Sequence, residues 1–200
     1  MLIYQMLAIP EYFSTPDPRQ KTFIVLSFLT LSVMFPLLGI ALMRMQGLIS
    51  SFQLKTKKER IGPLILVAIF YLWLYVNIRQ NNLVPDMISF FVLGTIISLF
   101  MGLFINSFSK ISLHSIGIGG LLAGTFFVYD HFMFTTFDFV LPVLNIAWRI
   151  SHDIIIIGVL LIAGVVGTAR LILKSHKEDE IYGGYFVGIL SQMVAIQLYF

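Results

Sequence analysis

Six stretches of this chain are long, apolar and almost free of charge, and lipid is the solvent that accommodates them together. Five pass the length of about 20 mostly apolar residues that a membrane-crossing helix needs. They are Thr22–Met43, Ile61–Ile78, Met87–Phe108, Asp153–Leu173 and Ile181–Phe200. The sixth, Ser112–Tyr129, is shorter, and its one ionisable side chain short of the terminal tyrosine is His114. Composition agrees: 12% of the 200 residues are charged, where a soluble domain carries about a quarter. The expected fold class is all-α, a polytopic membrane bundle of about six transmembrane helices. Residues 1–20 read as an interfacial N-terminal segment, since MLIYQMLAIP lacks the basic start and small-residue cleavage site of a signal peptide. Residues 21–200 read as one transmembrane domain.

Several chemistries drop out at once. The chain has no cysteine, which excludes disulfides and thiolate catalysis, and its net charge of +3 is too small to point to nucleic acid. Pro36 is expected to kink the first helix. Gly120-x-x-x-Gly124 and Gly184-x-x-x-Gly188 offer small faces for close helix approach.

The difficult piece is His131–His152, where Asp138, Pro142, Asn145 and Arg149 interrupt an aromatic, apolar run. Its phenylalanines and Trp148 fit the aromatic belt of a membrane surface, and it reads as an interfacial or re-entrant segment that does not cross. Asp130-His131 and His152-Asp153 match no zinc spacing, and no His-Glu-x-x-His is present. With six spans, the connectors 46–60, 107–112 and 174–180 then share one side, face A. Nine of the thirteen basic residues lie there: Arg44, Lys55, Lys57, Lys58, Arg60, Lys110, Arg170, Lys174 and Lys177. The positive-inside rule accounts for such a bias by making face A cytoplasmic. It does not account for His176, His114 and Ser112 on the same face. Arginine, imidazole and hydroxyl groups converging at a membrane surface point to an anionic ligand, phosphate above all.

The densest charge in the chain is Lys174-Ser-His-Lys-Glu-Asp-Glu180. Ser175 and Glu178 have the spacing of a capping box, which would put His176 in the first turn of the last helix. A helix N-terminus favours a neutral imidazole, the form in which histidine is a nucleophile. Glu180, four residues on, can accept the other ring N–H and fix the tautomer, as can Asp179 at three.

At these residues the chain resembles the type 2 phosphatidic acid phosphatase/haloperoxidase superfamily. Arg170-x5-His176-x3-Glu180 is similar to its third signature, Ser-Arg-x5-His-x3-Asp. Lys110-Ile-Ser112-Leu-His114 resembles the second, Pro-Ser-Gly-His, in the Lys-Ile-Ser-x-His form of an atypical bacterial branch. Lys57-Lys-Glu-Arg60-Ile-Gly-Pro63 resembles that branch's first signature. The departures are Ala169 for serine, Glu180 for aspartate, Ile111 and Leu113 flanking Ser112, and Gln53 at the place of the usual lysine.

The resemblance implies a phosphatase of lipid phosphate monoesters or isoprenoid pyrophosphates in a bacterial cell membrane, working through a phosphohistidine. It makes His176 the nucleophile, His114 the acid and then the base, and Glu180 the orienting carboxylate. Arg170, Arg60, Ser112, Lys57 or Lys58, with Lys110 beside them, would hold the phosphate oxygens. It implies no metal or other cofactor, and as partners the lipid substrate and membrane lipids. It also places face A outside, against the charge bias. The alternative is a non-catalytic binder of anionic headgroups, or a small channel or transporter with the same basic cup. Both histidines serve one phosphorus only if 131–152 does not cross, because about 30 Å of hydrocarbon would otherwise part them.

Overall fold

The computed structural model describes residues 18–54, 56–81, 84–132, 136–141 and 146–200. The expected interfacial segment 1–20 therefore lies outside the described residues except at its end, where α1 (Pro18–Leu29) has already begun. A π-helical turn, Thr30–Met34, joins α1 to α2 (Phe35–Met45). Pro36 explains it: a proline has no N–H for the preceding turn and its ring crowds the carbonyl four residues back. The helix widens by one turn instead of breaking. The hydroxyls of Thr30 and Ser32 donate to the Leu26 and Phe28 carbonyls at 2.7 and 2.6 Å, adding to the local bend.

Five long helices and one pair of strands follow among the described residues. They are α3 (Lys57–Arg79), α4 (Asp86–Phe108), α5 (Leu113–Phe132), the strands β1 (Thr136–Leu141) and β2 (Ile146–Ser151), α6 (His152–Ile172) and α7 (Glu178–Tyr199). Among the described residues five helical spans, α1–α2 counted as one, are long and apolar enough to cross a membrane, and α5, the expected sixth, is not one of them. The protein is an all-α polytopic bundle carrying one small hairpin. α4 and α7 are its inner members, each 44% buried over its most apolar window, whereas α6 is only 17% buried and turns most of its surface to lipid.

α5 and α7 pack closest. A Cβ on Gly188 would sit 2.1 Å from the Ile116 carbonyl oxygen and 2.5 Å from the Gly120 nitrogen. Backbones that close tolerate no side chain between them. The glycine pairs are used unevenly. Gly184 and Gly188 face α5, whereas Gly124 packs against Phe91 of α4. Polar side chains in this interior turn their protons onto their own helix: Ser98 to Gly94, Thr125 to Leu121 and Ser191 to Val187. In hydrocarbon each unpaired hydroxyl would be costly.

The segment 131–152, expected to be interfacial or re-entrant, lies in part outside the described residues. Within it β1 and β2 pair antiparallel, from Thr136↔Ser151 to Leu141↔Ile146. TFDFVL and IAWRIS are rich in aromatic and β-branched residues, with Pro142 and Asn145 between them. The pairing of Thr136 with Ser151 returns the chain to the end of the bundle it left, so α5 and α6 are antiparallel neighbours.

Candidate active site

The three connectors of face A are stitched together by hydrogen bonds between residues far apart in sequence. Lys57 Nζ donates to the Phe108 carbonyl at 3.0 Å, and Asn106 Nδ2 donates back to the Lys57 carbonyl at 2.9 Å. Arg60, buried to 6% exposure, spans two connectors: Nε donates to the Leu54 carbonyl and Nη1 to the Ile111 carbonyl, each at 2.9 Å. Lys110 Nζ reaches the Ser175 carbonyl at 2.7 Å, and the Ser112 N–H donates to the Glu180 carbonyl at 3.1 Å. Every connector is thus bonded to another.

Between them lies a cavity of about 650 Å³. Its polar wall is Arg60, Lys110, His114, Arg170, Lys174 and His176, with Gln53 at one edge. Phe52, Leu54, Leu113 and Leu173 supply an apolar wall, and among the described residues no carboxylate lines it. Glu178 and Asp179 are exposed and lie off the cavity. The site accepts an anion that carries an apolar portion.

His176 stands one residue outside the helix where a Ser175–Glu178 capping box would have put it. The N-cap of α7 is Lys177 and makes no side-chain cap, so His176 is not in the first turn. Ser175 is committed elsewhere. Its N–H donates to the Arg170 carbonyl at 3.1 Å and the Lys174 N–H to the Leu171 carbonyl at 2.9 Å, the paired bonds of a Schellman ending for α6. Lys174 takes the left-handed position, φ 49°, that glycine normally fills. A Thr/Ser-x-x-Glu box does form, at the start of α3, where Thr56 and Glu59 bond reciprocally.

The contact expected between His176 and Glu180 is present: Nδ1 and Oε2 are 2.5 Å apart, with only 5% and 14% of the two side chains exposed. Nδ1 carries the proton that the carboxylate accepts, which leaves the Nε2 lone pair for a ligand. Burial pushes the imidazole below its ordinary pKa, and Lys110 and Arg60 push the same way. The Glu180 hydrogen bond and charge oppose them. His114, the second residue of α5, is exposed toward the cavity and lies within electrostatic reach of Arg170, His176 and Arg60.

Three expected phosphate ligands are not brought to the cavity. Ser112 is fully buried, and its hydroxyl accepts from the Ser115 N–H and hydroxyl at 3.3 and 2.9 Å. It is the cap of α5, a role that its place just before the helix would announce. Lys57 is bonded to the Phe108 carbonyl, and Lys58 is exposed away from the cavity. The buried Asn106, bonded to the Lys57 carbonyl, is the residue of this surface that the sequence reading missed. Its amide, inside an apolar helix four residues before Lys110, was the signal that could have found it.

The other two histidines are structural. His152, 1% exposed, lies 2.9 Å through Nε2 from the Thr125 carbonyl and stacks on Tyr129. His131 lies 3.3 Å from Asp130 and stacks on Phe200. Among the described residues, no group of three His, Asp or Glu side chains converges as metal ligands. Set beside known proteins, the chain matches no family model, no characterised protein and no solved structure, so this geometry and the signature-like spacings stand as the ground for its function.

Proposed function

We propose that this is an integral membrane phosphatase of a bacterial cell membrane, acting on a lipid phosphate monoester or isoprenoid pyrophosphate through a phosphohistidine. The single observation that carries the reading is the Glu180–His176 contact at the wall of a carboxylate-free cavity shared with His114, Arg170 and Arg60. His176 Nε2 attacks the phosphorus in line, a P–N bond forms, and the bond to the leaving oxygen breaks. Protonated His114 gives that oxygen its proton. His114, now neutral, takes a proton from water, whose oxygen displaces the imidazole and releases inorganic phosphate. Glu180 holds the ring in the attacking tautomer and stabilises the cation that attack creates. Arg170, the unbonded edge of Arg60, Lys110 and Lys174 face the charge on the transferring phosphoryl group. The apolar wall suits a substrate whose tail remains in the bilayer.

A second reading, a non-catalytic binder of anionic headgroups, draws on one observation: Ser112 and Lys57 are spent on helix ends and Arg60 on two carbonyls. Purified protein offered phosphatidic acid, phosphatidylglycerol phosphate and undecaprenyl pyrophosphate separates the two. Phosphatase action predicts phosphate release from at least one, falling about a thousandfold or more in His176→Ala. Binding without turnover, the same in both proteins, favours the second reading.

A further inference from the structure

α6 brings Arg170 to the cavity, yet it is the least buried of the spanning helices and meets α7 at few points. It also lies along α5, to which His152 at its start is bonded, so what sets its rotation at the Arg170 end is a local question. Its buried residues inside the membrane, Val159, Ala163 and Gly167, recur every four positions. Arg170 continues that stripe, three residues beyond Gly167 and seven beyond Ala163, which is nearly two full turns. One side chain of α7 reaches this stripe with a polar group. Tyr185 donates its hydroxyl to the Ala163 carbonyl at 2.5 Å. A Cβ on Gly167 would lie 2.6 Å from that same hydroxyl oxygen, so the phenol sits in a notch that two small residues leave open. Behind it, Ser115 bonds the hydroxyl of Ser112, the cap of the helix that carries His114.

We propose that Tyr185 is a positioning residue: by fixing the rotation of α6 it aims Arg170 into the cavity. The catalytic consequence rests on the phosphatase reading, but the geometry does not. α6 shows most of its apolar surface to lipid, which is indifferent to rotation about the helix axis. A directional hydrogen bond in hydrocarbon is not indifferent, because breaking it takes the Ala163 carbonyl from the Tyr185 hydroxyl proton, while that carbonyl keeps its own helix bond. Turning α6 by a fraction of a residue would carry Arg170, at the end of the same stripe, off the cavity wall.

The cysteine-free chain allows a test that needs no activity. In Arg170→Cys the single thiol should react with a charged, membrane-impermeant alkylating reagent, and adding Tyr185→Phe should slow that reaction about fivefold, the cost of one hydrogen bond. Lys177→Cys, exposed on the following connector, should react at the same rate with or without Tyr185→Phe. Gly167→Ala, which crowds the same hydroxyl, should slow Arg170→Cys likewise and serves if Tyr185→Phe does not fold. Unchanged Arg170→Cys rates in the folded variants overturn the proposal. Where a substrate is turned over, Tyr185→Phe should cut kcat/KM about fivefold in the wild type and under about twofold in Arg170→Ala. Equal losses in both backgrounds, the mark of a merely structural role, also overturn it. If no substrate releases phosphate, the enzyme reading fails alone and the alkylation rates still decide the role of Tyr185.

Discussion

Lys174 concentrates the conflict between stability and function in one residue. It occupies a left-handed position closing α6, and a side chain there costs about 1 kcal/mol relative to glycine. The comparable ending of α2 uses Gly47, φ 75°, with the same pair of bonds, from Leu48 to Met43 and from Gly47 to Arg44. A lysine kept where glycine fits better, with its side chain on the cavity, is explained by its charge. Lys174→Gly should raise thermal stability in detergent by about 1 kcal/mol and raise KM for the phosphate substrate; a lower stability with unchanged KM would refute this. Glu180 gives a prediction with a sign. Its carboxylate opposes the lowering of the His176 pKa, so Glu180→Gln should move the acid limb of kcat/KM to lower pH. The rate should fall on the order of a hundredfold or more as the tautomer and cation lose support. In the wild type, that limb should lie below the ordinary histidine value of about 6.5, because a neutral imidazole is the nucleophile. A limb shifted upward in Glu180→Gln would contradict the pairing.

At the scale of elements, the closeness of α5 and α7 carries the site, since one bears His114 and the other Glu180. Gly188→Ala should destabilise the bundle by roughly 2–3 kcal/mol or part these helices, as overpacking does. Gly183→Ala, with open space at its Cβ, should be near neutral, and thermal unfolding of the two in parallel checks the contrast. Five of the six expected spans were legible in the sequence because twenty apolar residues have few alternatives in lipid. Helix ends were not. Ser175-x-x-Glu178 and Thr56-x-x-Glu59 share one spacing, and only Thr56–Glu59 forms the box. The Schellman ending of α6 had already claimed Ser175, a competition that spacing alone does not display. Ser112 was misread for a like reason: one hydroxyl serves a helix cap or a ligand, and the cap came first. The strand pairing within 131–152 escaped because aromatic residues suit a membrane surface and a strand alike.

For the whole molecule, the hairpin's return decides that the connectors holding Arg60, His114 and His176 share one surface. Single cysteines replacing Lys58, Ser109 and Lys177 should therefore all be labelled by an impermeant reagent from the same side of sealed vesicles. One replacing Asp130 should be labelled only from the other. Mixed sidedness among the first three would break the account. The signature-like spacings of Arg170, His176 and Glu180 made the heart of the site legible. Lys174 and Gln53 were legible only as a face-A charge and as the residue at the usual lysine's place, because loop closure and no local pattern brings them to the cavity. The central claim is that His176 bonds covalently to phosphorus, and the direct measurement is to quench the purified protein with alkali during turnover of phosphorus-labelled lipid and map the label. The account predicts an acid-labile, base-stable phosphoryl group on His176, absent from His176→Ala. Phosphate released at the wild-type rate by His176→Ala, or a label on another residue, would contradict it.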